Sequence, residues 1–223
     1  MSGHSKWSTI KHKKGAADKK RGAIFTKLAK AVTVAAQNGG GDPDTNFTLR
    51  LAVDKARAAN MPKDNIERAI QRGVGGDKGE ALDDVTYEGY GPGGVAVMVE
   101  ATTDNRNRTA GQVRAVFTKH GSSLGESGTV AWQFNRRGTI AVPAAGIDPD
   151  ELVLAAIDAG ALDVEPEGDY VTVYTEVADF QKVKQALEAA GYDTSEAELA
   201  MVPNVTMALE PAKQLQVLKF IEV

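Results

Sequence analysis

The sequence predicts an α+β protein of three domains: an N-terminal helical bundle, a middle α+β domain and an inserted ferredoxin-like βαββαβ domain. Three observations carry this expectation. Apolar residues recur at helical spacing up to about residue 73, and the period then changes to that of strands. A glycine-rich stretch separates the two regimes. Further on, the predicted elements fall in the order β-α-β-β-α-β, which is the split βαβ pattern.

In the first region, Ile24, Leu28, Val32 and Ala36 recur every fourth residue beside Phe25 and Ala35, and Asn38-Gly39-Gly40-Gly41 ends the helix they predict. Asp42 then offers an N-cap and Pro43 a first helical position. The second helix is expected to run through Phe47, Leu51, Ala52, Ala56 and Ala59 to Met61-Pro62. Pro62 opens a third, with Ile66, Ala69 and Ile70 on one face and Gly73 as its stop. Residues 73–79 hold four glycines in seven positions and read as a linker. A phosphate-binding loop is the rival reading, but the stretch lacks the Gly-Lys-Ser/Thr ending and no predicted strand precedes it.

Strands are expected at Val85–Tyr90 and Val95–Ala101, joined by Gly91-Pro92-Gly93-Gly94. A helix from Asn107 to His120 and a third strand from Thr129 to Phe134 complete this unit. The ferredoxin-like pattern follows as Thr139–Val142, Pro149–Ala159, Leu162–Glu165, Tyr170–Thr175, Ala178–Ala190 and Ala197–Val202. Val205–Leu209 and a helix from Pro211 are too short to stand alone and are expected to return to the middle domain. The expected boundaries are therefore 1–76, then 77–137 with 204–223, with 138–203 inserted.

Charge is distributed unevenly along these domains. The net charge is -4, yet residues 1–78 carry 16 basic and 7 acidic side chains, whereas residues 138–223 carry 4 and 16. Clustered cations release condensed counterions when they meet a phosphate backbone, so a basic head on an acidic body points to a nucleic-acid partner. A solvated basic tail is the bland alternative. The chain has no cysteine, which excludes disulfides, thiolate zinc sites and cysteine nucleophiles, and fits a reducing compartment. No apolar run approaches a membrane span, and the N-terminus lacks a secretion signal's apolar core. The expected location is cytoplasmic; a mitochondrial presequence is the targeting alternative.

The candidate nucleic-acid contacts begin at the N-terminus with Lys6, Trp7, Lys11, Lys13, Lys14, Lys19, Lys20 and Arg21, and continue with Lys27. Trp7 offers a ring for sequence-tolerant stacking, or an anchor holding the tail to the bundle. His4 and His12 lie among ammonium groups that repel a metal cation. In Thr103-Asp104-Asn105-Arg106-Asn107-Arg108-Thr109, short polar side chains suit a helix cap. Arg106 and Arg108 place two guanidinium forks beside its N-terminus, for a phosphate, a partner carboxylate or local ion pairs. Glu88, Glu100, Asp104 and His120 are the acid-base groups an enzyme would draw on, but their spacing matches no triad, metal set or paired-carboxylate site.

The motifs Gly3-His4-Ser5-Lys6-Trp7, Tyr87-Glu88-Gly89-Tyr90-Gly91-Pro92-Gly93-Gly94, Thr103 to Thr109, and Lys119-His120-Gly121 through Leu124-Gly125-Glu126-Ser127-Gly128 resemble the YebC family. The resemblance covers essentially the whole chain. It implies the three-domain architecture above, no cofactor and no reaction. It also implies regulation of gene expression: members are labelled probable transcriptional regulators that bind DNA, mitochondrial relatives are translational activators, and bacterial ones are linked to relief of stalling at proline runs. Family members usually continue past the last helix with an acidic turn and a strand, whereas this sequence stops at Phe220-Ile221-Glu222-Val223; either the middle sheet lacks an edge strand or the sequence is truncated.

The expected function is a non-enzymatic nucleic-acid-binding regulator, preferably a ribosome- or rRNA-associated translation factor that eases stalling at proline-rich stretches. The alternatives are a DNA-binding transcriptional regulator and a protein-protein adaptor. No helix-turn-helix recognition helix is evident, which favours RNA. No membrane, small-molecule substrate or cofactor is expected. The oligomeric state is open, with a monomer favoured.

Overall fold

The computed structural model describes residues 19–75 and 82–222, with side chains from Ile24 onward. It is an α+β protein with an N-terminal three-helix region followed by two antiparallel sheets. The chain divides into two compact units. One holds the N-terminal helices with Arg136–Ala200, the other Lys78–Asn135 with Met201–Val223.

Helix α1 (Lys19–Gly39) packs against α2 (Phe47–Ala58) and α3 (Lys63–Val74). Val32, Ala35 and Ala36 of α1 close over Leu49, Val53 and Ala56 of α2 and Ile66 and Ala69 of α3, with Met61 filling the turn. Small residues let α1 and α3 approach closely. A Cβ on Gly73 would lie 2.4 Å from the Thr33 carbonyl oxygen and 2.7 Å from the Ala36 Cβ. Gly73 is therefore a contact inside α3 and not its stop, which is displaced to Gly75.

The second helix also starts later than expected. Asp42 and Pro43 form a turn in which the Asp42 carbonyl accepts from the Asn46 amide at 2.8 Å. Asn46 is the N-cap of α2, and it does more than a cap: its Oδ1 accepts from the Leu49 amide at 3.1 Å, while Nδ2 donates to the Ala35 and Gly40 carbonyls at 2.7 and 2.8 Å. One buried amide thus ties the end of α1 to the start of α2. At the far end of α2, Asn60 takes the left-handed conformation (φ 59°), and the Met61 amide reaches back to the Ala56 carbonyl.

The same unit contains a four-stranded sheet in the order β5-β6-β4-β7, built from β4 (Phe134–Pro143), β5 (Asp163–Glu167), β6 (Tyr170–Thr175) and β7 (Glu196–Pro203). Helices α5 (Pro149–Ala159) and α6 (Phe180–Ala189) cover one face of it. Ile140, Val142, Leu152, Ala156, Val171, Val173, Phe180, Val183 and Leu187 are its buried core. Phe47 of α2 meets Phe180 edge to face with centroids 5.6 Å apart, and Leu51 joins the same core. The helical bundle therefore packs on the ferredoxin-like element within this unit.

The second unit is a three-stranded antiparallel sheet, order β2-β1-β3, from β1 (Asp83–Tyr90), β2 (Ala96–Thr103) and β3 (Ser123–Leu124). The β1–β2 hairpin runs in register from Asp83↔Thr103 to Tyr90↔Ala96. Helix α4 (Arg106–Lys119) and the returning helix α7 (Pro211–Ile221) meet where Phe117 and Phe220 pack edge to face at 4.9 Å. The strand expected at Thr129–Phe134 is not there. Ala131–Gln133 form a 3-10 turn, the third strand is the two-residue β3, and Phe134 instead begins β4.

Candidate nucleic-acid interface

Helix α1 is 21 residues long and contains no acidic residue. Lys19, Lys20 and Arg21 occupy its first turn, where the helix dipole disfavours cations, and no basic residue occupies its last turn, where they would be favoured. Helix stability does not explain that arrangement. Further along, Lys27 is exposed and Lys30 half-buried, and neither forms an ion pair among the described residues. Lys6, Trp7, Lys11, Lys13 and Lys14 lie outside the described residues, as do the side chains of Lys19, Lys20 and Arg21.

Most cations of the other two helices have local partners. Arg50 donates to the Pro43 and Asp44 carbonyls, Lys55 meets Glu198 at 2.5 Å, and Arg57 meets Asp54 at 3.8 Å. Lys63 pairs with Glu67 at 3.5 Å, and Arg68 donates to Asn65 at 2.7 Å. Arg72 is exposed and forms no ion pair among the described residues. A cleft of about 410 Å³ beside α2, lined by Asp54, Lys55, Lys184 and Glu188 among others, holds charges that pair with one another.

In the second unit, the Thr103–Thr109 motif caps α4. The Asn105 Oδ1 accepts from the Arg108 amide at 2.9 Å, and the Thr103 Oγ1 accepts from the Asn105 amide at 2.9 Å. The two guanidinium groups have local carboxylates: Arg106 donates to Asp83 at 2.9 Å, and Arg108 pairs with Asp104. The hydrogen bond from Arg106 holds the Asp83 carboxyl below the usual carboxylate range. A phosphate would have to compete with these partners. Farther along α4, which also has no acid, Arg114 and Lys119 are exposed and form no ion pair among the described residues. Arg137 pairs with Glu176, while Arg136 is exposed and forms no ion pair among the described residues.

Of the four acid-base candidates, Glu88 and Asp104 are engaged structurally, and Glu100 is exposed on β2. Glu88 on β1 is only 6% exposed, and its carboxylate accepts the amides of Gly128 (2.8 Å), Val130 (2.9 Å) and Ala131 (2.8 Å). Those backbone donors, Gly128 foremost, hold its carboxyl below the usual range against the opposing effect of burial. Asp104 is paired with Arg108. The His120 Nε2 is buried and has no hydrogen-bond partner among the described residues, with the ring packed against Phe220 at 5.6 Å. Among the described residues no three His, Asp or Glu side chains are grouped to hold a metal. No helix among them is long and apolar enough to cross a membrane.

The loop that Glu88 pins presents Trp132 at 71% exposure, the one aromatic among the large exposed apolar side chains described. Sequence reasoning placed Trp132 inside a strand and missed it. The available signal was Glu88 itself: a carboxylate in the middle of a strand rich in aromatic and apolar residues, once buried, requires several donors, and the Gly125–Gly128 loop is the nearby source of free amides.

An acid-free, lysine-bearing helix heading a three-helix region, followed by two small antiparallel sheets, defines the class of α+β protein to which this chain belongs. Residues 5–76 match the family description "TACO1/YebC protein N-terminal domain", and residues 82–223 match "TACO1/YebC second and third domain". The chain belongs to the TACO1/YebC family. It is similar to a "Probable transcriptional regulatory protein" of Trichlorobacter lovleyi, 54% identical over 222 residues, covering 100% of this chain and 90% of that one. A protein of the same name from Rubrobacter xylanophilus is 55% identical over 223 residues, covering 100% and 89%. The crystal structure of a conserved hypothetical protein from Aquifex aeolicus superposes with a TM-score of 0.88 at 46% identity, covering 96% of this chain and 88% of that one. The Trichlorobacter and Rubrobacter relatives are named as probable regulatory proteins, not as enzymes.

Proposed function

We propose that this chain is a non-enzymatic regulator of gene expression that binds folded RNA through the cations of its tail and of α1, acting as a ribosome-associated translation factor that eases passage through proline-rich stretches. The observation that carries the nucleic-acid part is the composition of α1: five cations and no acid over 21 residues, beside two helices whose cations are largely tied to local partners. Such a surface follows an irregular phosphate backbone without reading base edges. Helices α2 and α3, the pair a helix-turn-helix reader would set on a groove, have most of their cations engaged internally, which favours RNA over sequence-specific DNA.

The printed name of the relatives favours a second reading, a DNA-bound transcriptional regulator. Crosslinking in cells followed by sequencing of both DNA and RNA separates the two. Enrichment of ribosomal RNA is expected; a reproducible promoter sequence with ribosomal RNA at background would overturn the preference. In parallel, neutralising Lys11, Lys13, Lys14, Lys19, Lys20 and Arg21 together should abolish salt-sensitive co-sedimentation with ribosomes and slow translation through proline runs.

A further inference from the structure

Trp132 is built as a platform. The 3-10 turn carrying it is fixed from below by the Glu88 carboxylate on the Val130 and Ala131 amides, and from the side by Asn204, whose Nδ2 donates to the Trp132 carbonyl at 3.2 Å and whose amide donates to the Gln133 carbonyl at 2.7 Å. The indole N–H is turned inward to the Thr129 carbonyl at 3.3 Å. The ring's single donor is therefore used within the loop, and what remains outside is a flat apolar face at 71% exposure. An indole 71% exposed adds little to the core, so the buried carboxylate and the two bonds from Asn204 hold in place a ring that is turned mostly to solvent.

From this geometry we infer that Trp132 is a stacking platform for an unpaired base of single-stranded nucleic acid. The inference rests on the nucleic-acid reading above and specifies one contact within it. Three observations select a base. The exposed face has π character and no free hydrogen-bonding group, which suits sequence-tolerant stacking. The turn is already ordered, so docking a flat ring orders little more. The same unit carries α4, with Arg114 and Lys119 exposed and without a carboxylate partner among the described residues, as cations for the flanking phosphates. Val205, which follows Asn204 and is 73% exposed, gives the surface an aliphatic neighbour; a protein contact is the competing occupant and forms one outcome of the test.

The chain has two tryptophans, Trp7 and Trp132, so Trp7→Phe leaves Trp132 as the sole indole fluorophore. The full chain carrying this change is titrated with a single-stranded oligouridylate and, separately, with inorganic polyphosphate of matched length, which has the charge but no bases. The oligouridylate is expected to quench Trp132 emission and polyphosphate to leave it unchanged. In the wild-type background, Trp132→Ala should weaken oligouridylate binding roughly 5- to 150-fold while leaving the salt slope unaltered, and Trp132→Tyr should keep most of the affinity. Thermal melting verifies that each variant is folded. Parental affinity for RNA in Trp132→Ala, or RNA binding without a change in emission, overturns the stacking role and leaves Trp132 with Val205 as a protein contact. If the parent binds neither RNA nor polyphosphate, the nucleic-acid reading fails and this inference fails with it.

Discussion

The Oε2 of Glu88 accepts the amide of Val130 at 2.9 Å, across 42 residues of chain and inside a site that excludes water. With the bonds from Gly128 and Ala131, it converts a glycine-rich loop into a fixed one. Hydrogen bonds to a charged acceptor contribute about 1.5–3 kcal/mol each. Glu88→Gln replaces one acceptor oxygen with a donor that faces an amide, so a loss of at least ~2 kcal/mol is expected in urea denaturation at neutral pH.

The same carboxylate sets a pH dependence. Its folded-state carboxyl titrates below the ordinary 4.5, so its contribution is fully present above that value and is lost as pH falls through the lowered one. Stability measured from pH 6 downward should therefore fall on acidification. The acid limb should be shallower in Glu88→Gln than in the parent, and superimposable limbs would contradict the assignment.

Gly73→Ala opposes two effects. Alanine gains about 1 kcal/mol of helix propensity, but its Cβ would sit 2.4 Å from the Thr33 carbonyl oxygen, a backbone atom that cannot swing aside. Overpacking costs about 1–3 kcal/mol, so net destabilisation is expected in calorimetry. A rise in melting temperature would show that α1 and α3 are less tightly apposed.

Asn46 separates capping from stapling. Asn46→Asp keeps an acceptor for the Leu49 amide but sets an anionic oxygen against the carbonyls of Ala35 and Gly40. Both Asn46→Ala and Asn46→Asp should lose about 2 kcal/mol or more by urea denaturation. If aspartate is tolerated, the bonds to α1 contribute nothing.

Freeing the paired guanidinium groups should strengthen polyanion binding. Asp83→Asn with Asp104→Asn removes the carboxylates that hold Arg106 and Arg108. Each cation that then reaches a phosphate steepens the slope of log affinity against log salt by about 0.7–0.9. An unchanged slope would place these two arginines off the binding surface.

Much of the architecture was legible because helical and strand periodicities are local properties. Pro149–Ala159 and Tyr170–Thr175 were placed to the residue, the first by Pro149 and Gly160 at its ends and the second by alternating valines. What was hidden depended on distant partners. Nothing near Gly73 reveals Thr33, so a contact glycine reads as a stop. Asp42-Pro43 is a better local helix start than Asn46, and Asn46 prevails only because the end of α1 supplies it with two carbonyls. Trp132 looks like strand material until Glu88 captures the amides around it. The cationic character of α1 was visible in composition alone, whereas the pairing of Arg106 with Asp83 required knowing that β1 begins beside the start of α4.

The contact between Phe47 and Phe180 also imposes an order of events during synthesis. The three N-terminal helices emerge first, yet the ring that completes their outer face is encoded some 130 residues later, which at roughly 5–20 residues per second is a delay of about 7–26 s. The second unit waits still longer, because Phe220, the partner of Phe117, is encoded after Phe180. For that interval the nascent protein carries Phe47 and Leu51 uncovered beside its most basic helix. Its earliest state is therefore both sticky and positively charged while still attached to the ribosome that is making it.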